Sequence, residues 1–188
     1  MRAMNDAHAA AGGPVPRSSW TVAPQPVGSP ESAAMLREYL VDVADRWYVI
    51  HHGRTSTTEE IDEHLAEDPN DSLAPPDGVL LVARHGGERA GCVGLRRLDA
   101  RTAELKRMYV RPAKRGLGGA PVLLAAAEDV ARGWGVARIL LDTRKDLVEA
   151  VALYSRHGFA HVPRYNTAEE APYSEVWMAK ELGGGQAR

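Results

Sequence analysis

Between Val110 and Pro121 the chain reads Val-Arg-Pro-Ala-Lys-Arg-Gly-Leu-Gly-Gly-Ala-Pro, and an apolar stripe of Val122, Leu123, Ala126, Ala127 and Val130 follows at helical spacing. The pattern is a strand that ends, a glycine-rich turn and a helix that begins. A helix start leaves its first N–H groups without intrahelical partners, aimed at one place where the helix dipole favours negative charge. A phosphate or pyrophosphate is the natural occupant.

The rest of the chain arranges itself around this segment. Residues 1 to 28 are rich in Ala, Gly and Pro without an apolar period, which predicts a largely disordered leader with Trp20-Thr-Val22 as a short first strand. Ser29-Pro-Glu31 marks a helix start, and Met35, Leu36, Leu40, Val43 and Trp47 continue it. A second helix starts at Ser56 or Thr57, since Ser56-x-x-Glu59 and Thr57-x-x-Glu60 both fit a capping box. Asp68 to Gly78 is a loop. Val79–Ala83 and Ala90–Leu95 then form a hairpin about the turn His85–Glu88, and Leu98–Arg101 turns into a third strand, Ala103 to Val110. After the glycine loop and its helix, closed by Gly133-x-Gly135, come a buried-type strand Ala137–Leu141, a helix from Asp146 to Arg156 stopped by Gly158, and strands at Phe159–Val162 and Tyr173–Met178. This order gives an α/β (α+β) fold: a mixed, mainly antiparallel central sheet with helices on both faces. Residues 29–182 are expected to form one domain, with 183–188 a flexible tail.

Three phosphate-binding readings meet at the loop. A P-loop requires Gly-x-x-x-x-Gly-Lys-Ser/Thr, which is absent. A dinucleotide site requires G-x-G-x-x-G; Gly116-x-Gly118-x-x-Pro121 fails at the third glycine, although Asp142 stands near the place of a ribose-binding acid. The strand before the loop, Glu104-Leu-Lys-Arg-Met-Tyr-Val110, is also too polar for the buried first strand of that fold. The third reading is Q/R-x-x-G-x-G/A, which Arg115-Gly116-Leu117-Gly118-Gly119-Ala120 fits at every fixed position. Downstream, Ala150-Val-Ala-Leu-Tyr154-Ser-Arg-His-Gly158-Phe159 matches A-x-x-L-Y-x-x-x-G-F. With these two motifs in order, roughly residues 79 to 180 resemble the GNAT family of acetyl-CoA-dependent N-acetyltransferases.

The resemblance implies an acyl-CoA acyltransferase fold and a set of roles. Amides of Gly116, Leu117, Gly118, Gly119 and Ala120 would cradle the pyrophosphate of acetyl-CoA, with Arg115 and Lys114 adding charge. The central sheet would splay after the polar strand, so that the pantetheine arm pairs with the backbone of Met108, Tyr109 and Val110. Tyr154 would serve the departing thiolate, and Glu104 would be the general base. Glu104 also reads as a partly exposed strand residue paired with Lys106 or Arg107. Where relatives often carry an Asn seven residues before the Tyr, Leu147 stands.

Composition narrows the remainder. A net charge of −2 gives no general pull toward nucleic acid, and no apolar run approaches the roughly 20 residues of a membrane span. The lone Cys92 and the lack of a signal-peptide pattern fit a cytoplasmic protein. His51-His52 reads as a helix end, and no metal site is expected. The acidic residues Glu59, Glu60, Asp62, Glu63, Glu67, Asp68, Asp71 and Asp77 either steer a cationic amine or form a solvated helix face. The expected function is transfer of the acetyl group of acetyl-CoA to an amine, on a small molecule or a protein, by direct attack in a ternary complex. Homodimerisation is a further expectation. The alternatives are a non-catalytic CoA-binding module and a nucleotide-binding Rossmann-like protein.

Overall fold

The computed structural model describes residues 20–183, and it opens on a strand. β1 (Trp20–Gln25) runs antiparallel to β2 (Gly78–His85), from Trp20 against His85 to Gln25 against Leu80. The sequence suggested only Trp20–Val22 within a disordered leader. Ordered pairing through Gln25 corrects that reading from residue 20 onward; residues 1–19, and 184–188 of the tail, lie outside the described residues. The strand carries little apolar period because an edge strand draws on its main-chain ladder, with Trp20 and Val22 packed against the core.

α1 (Pro30–His52) begins as its sequence predicts: the Ser29 hydroxyl accepts from the Ser32 N–H at 3.1 Å, and Gly53 ends the helix at φ 66°. α2 (Thr58–Glu67) uses one of its two capping boxes. Thr57 and Glu60 cap each other, at 3.3 and 2.8 Å, while Ser56 turns to Asp45 of α1. β3 (Glu88–Arg97) and β4 (Thr102–Val110) complete an antiparallel meander with β2. α3 (Gly119–Gly133), β5 (Arg138–Thr143), α4 (Val148–Arg156), β6 (Ala160–His161) and β7 (Val176–Glu181) follow. β7 starts later than the sequence suggests, because Pro172 and Tyr173 form a turn. α4 starts after Asp146, whose carboxylate is held by both arms of Arg144 at 2.8 and 2.9 Å.

The strand order is β1-β2-β3-β4-β5-β7-β6, and only β4 with β5 is parallel. Strand alternation sends Leu81, Ala83, Val93, Leu95, Ala103 and Leu105 to one face, against Leu123, Leu124, Ala127 and Ala131 of α3. It sends Leu80, Val82, Cys92 and Tyr109 to the other, against Met35 and Leu36 of α1. The mixed, mainly antiparallel sheet with helices on both faces is therefore the observed fold. Among the described residues no helix is long and apolar enough to cross a membrane.

Two irregularities shape the centre. β4 carries a bulge: Gly94 faces Lys106 but Cys92 faces Tyr109, so β4 holds one residue more than β3. Arg107 sits in it at φ 56°, and the Cys92 thiol donates to its carbonyl at 3.3 Å. The extra residue reverses the alternation, so Glu104 and Lys106 share a face with Tyr109 rather than with Met108. The second irregularity is that β4 and β5 pair only from Thr102–Glu104 to Arg138–Leu140. Beyond Glu104 the strands part and the sheet opens.

Candidate active site

The glycine loop lies between the open end of β4 and the start of α3. Gly116 at φ 77° and Gly118 at φ 84° adopt the left-handed conformation that favours glycine. A Cβ on either would meet nothing within 4 Å, so the space before them is open. Gly118 is the N-cap of α3, and no side chain caps the helix. Its leading amides are thus left for a ligand, as an anion cradle requires. Lys114 and Arg115, expected to add charge there, are engaged elsewhere. The Lys114 ammonium lies 2.8 Å from Glu88, and Arg115 donates to the Val110 carbonyl at 2.9 Å and to Asp42 of α1 at 2.8 Å. What the loop offers an anion is therefore its backbone amides.

Along the open edge of β4, Met108 and Val110 pack toward the α3 core while Tyr109 is buried on the α1 face. Glu104 stands where β4 and β5 part, and its side chain is 1% exposed. One carboxylate oxygen accepts from the Arg96 Nε at 2.5 Å and lies 3.8 Å from the Lys106 ammonium; the other accepts from the Tyr165 hydroxyl at 2.8 Å. Glu104 is thus buried rather than partly exposed; of its two expected partners Lys106 is present and Arg107 is not, and Arg96 is added. Arg107 points elsewhere from the bulge, to Asn70 and Asp68 at 2.7 and 2.6 Å, with its guanidinium near the Tyr39 ring.

Tyr165 comes from the long loop between β6 and β7, and its hydroxyl also lies 3.3 Å from Asp142, at the end of β5. Ser174 donates to the other oxygen of Asp142. Tyr154, on α4, is buried against Phe159, and among the described residues its hydroxyl has no hydrogen-bond partner. Burial pushes its phenol well above the ordinary tyrosine range, and Tyr39 and Asp142 add to the effect. Tyr154 is therefore protonated at neutral pH, with its proton held more tightly than that of a free tyrosine. Burial likewise pushes the Cys92 thiol up to about 12. With its proton spent on the Arg107 carbonyl, Cys92 serves the bulge and is no nucleophile.

Leu147, which takes the place of an Asn, is the N-cap of α4 and offers it no side-chain hydrogen bond. The acidic segment is partly neutralised, Glu60 by Arg54, Asp62 by Arg37 and Asp68 by Arg107. No group of three metal-ligating side chains occurs among the described residues. The contacts of Arg96 and Tyr165 with Glu104 are what sequence reasoning missed, although the loop from Pro163 to Glu170 was expected to close one side of the acceptor site. Tyr165 is a single aromatic in the polar run Pro163-Arg-Tyr-Asn-Thr, and only its reach across the sheet gives it a partner.

Comparison with known proteins agrees with this geometry. The family model described as acetyltransferase (GNAT) family matches residues 38–159. An uncharacterized N-acetyltransferase of Schizosaccharomyces pombe is 33% identical over 137 residues, covering 71% of this chain and 83% of that protein. The IAA acetyltransferase of Azospirillum brasilense is 38% identical over 135 residues, covering 66% of this chain and 87% of its own. Among solved structures, a Klebsiella pneumoniae chain assigned as an acyl-CoA N-acyltransferase superposes with a TM-score of 0.65 at 27% identity, over 87% of this chain and 97% of that one. The PaiA N-acetyltransferase of Thermoplasma acidophilum, in complex with coenzyme A, shares the fold at a TM-score of 0.62 and 20% identity, over 87% of this chain and 99% of that one.

Proposed function

The chain belongs to the acetyltransferase (GNAT) family, and from that membership we propose how its residues carry an acetyl group from acetyl-CoA to an amine. It is an N-acetyltransferase with acetyl-CoA as co-substrate. The observation that carries the site assignment is a coincidence of three features. An uncapped, open glycine loop follows β4, the β4–β5 gap opens toward it from Glu104, and an unpartnered Tyr154 hydroxyl stands on the helix that follows β5.

In this reading the amides from Gly116 to Ala120 bind the pyrophosphate, and the backbone of Met108–Val110 holds the pantetheine arm in the gap. The acceptor approaches from the α1 face, where Glu104, Asp142 and Tyr165 meet. Its nitrogen attacks the thioester carbonyl, so that a C–N bond forms and the C–S bond breaks. Glu104 takes the proton lost by the amine, directly or through water, and Tyr154 gives its proton to the leaving thiolate. Solvent then restores both groups. For Glu104 to receive a proton Tyr165 must let go of it, and Asp142 offers the phenol an alternative acceptor. Arg115, held by Asp42, shapes the loop rather than meeting the anion by its guanidinium. Residues 29–182, with β1 added at the sheet edge, act as one transferase domain, and the single cysteine fits work in the reducing cytoplasm.

The test is a panel of acceptors — small amines, amino acids, aminoglycosides and peptide N-termini — assayed for acceptor-dependent release of free CoA thiol. Turnover with at least one class is expected. CoA binding without acceptor-dependent release from any class would favour a non-catalytic CoA-binding module.

A further inference from the structure

We propose that Trp20 is a positioning residue for the phosphate loop, holding the Leu117–Gly118 peptide so that the Gly118 N–H faces the anion. The inference rests on the loop being the pyrophosphate cradle. Trp20 opens β1, where its backbone pairs with His85 and its indole lies 4.8 Å from the His85 ring. From there it crosses to a loop that is 97 residues distant in sequence, and its Nε1–H donates to the Leu117 carbonyl at 2.8 Å.

A trans peptide points its C=O and the next N–H in opposite directions. A carbonyl of Leu117 turned to Trp20 therefore turns the amide of Gly118 away from it, toward the open side of the loop. The indole also lies flat on the next residue. A Cβ at Gly119 would come 2.4 Å from an indole carbon, and Gly119 is buried although Gly116, Leu117 and Gly118 are exposed. Two left-handed glycines flank Leu117, and glycine is the residue freest to rotate. Without the indole the Leu117–Gly118 peptide can flip between them. With it, one side of the loop is fixed by Trp20 and the other by the Arg115–Asp42 pair. A loop ordered in advance leaves less ordering cost to ligand binding.

The full-length protein, Trp20→Phe and Trp20→Ala are titrated calorimetrically with CoA and with pantetheine, which lacks the pyrophosphate. Loss of one hydrogen bond in Trp20→Phe is expected to raise the Kd for CoA about fivefold. Trp20→Ala, which also removes the ring from Gly119, should lose more, and pantetheine binding should not change in either. Trp20→Phe keeps the aromatic packing and decides the matter if Trp20→Ala does not fold. Unchanged CoA affinity in Trp20→Phe, or an equal loss for CoA and pantetheine, overturns the positioning role. A wild-type protein that binds pantetheine but gains nothing from the pyrophosphate overturns the loop assignment itself, and the inference with it.

Discussion

Tyr154 has a proton that burial keeps in place and a hydroxyl that no described residue claims. Removing the hydroxyl alone should leave the packing against Phe159 intact, since Tyr and Phe share the ring. We expect Tyr154→Phe to lower kcat by about 100-fold, the low end of general-acid contributions, with little change in the KM for acetyl-CoA. Steady-state kinetics on an acceptor from the panel would check this, and undiminished turnover would remove the acid role. The pH dependence has a definite sign. A phenol raised above its ordinary value stays protonated while pH climbs through about 10, where a free tyrosine ionises. Activity should therefore show no falling limb from Tyr154 across that range.

Between elements, the loop from β6 to β7 is tied to the sheet through Tyr165 on Glu104 and Asp142, Ser174 on Asp142 and the Trp177 indole on Asn166. Tyr165→Phe frees one oxygen of Glu104 while Arg96 still holds the other. Since Tyr165 must release Glu104 before the carboxylate takes a proton, the expected result is a kcat/KM for the acceptor that is unchanged or raised, by at most about tenfold, the equivalent of one charge-assisted hydrogen bond, with CoA affinity unchanged. A variant that loses CoA affinity instead would place the loop on the donor side. These ties also mark where sequence reading stops. Ser29-Pro30, the Thr57/Glu60 box, the glycine loop and the α4 segment were legible because each is a local pattern with a local cause. Tyr165 and Arg96 were not, because a partner 61 residues away, in one case, is chosen by topology. The Arg107 bulge was equally hidden, since no Gly announces its positive φ. Strict alternation would put Glu104 and Lys106 on one face of β4 and Arg107 on the other, whereas the bulge brings Arg107 to the Tyr39 ring on the α1 side.

At the scale of the whole molecule, a meander of antiparallel strands carries one parallel step, β4 to β5, and that step is where the sheet opens. α3 covers one face and α1 the other; in the proposed reading the donor lies along the loop and the acceptor comes from the α1 side. The fold class was readable from the order of elements. β1 was underestimated because an edge strand needs little hydrophobic alternation, yet it delivers Trp20 to the loop. The central claim is that the open loop at Gly116–Ala120 holds the donor. Isothermal titration of the wild-type protein and of Gly118→Trp with CoA tests it most directly. The account predicts one binding site in the wild type and none in the variant, whose indole would fill the space before the loop and strain a φ of 84°. No binding by the wild type, or equal binding by the variant, would contradict it.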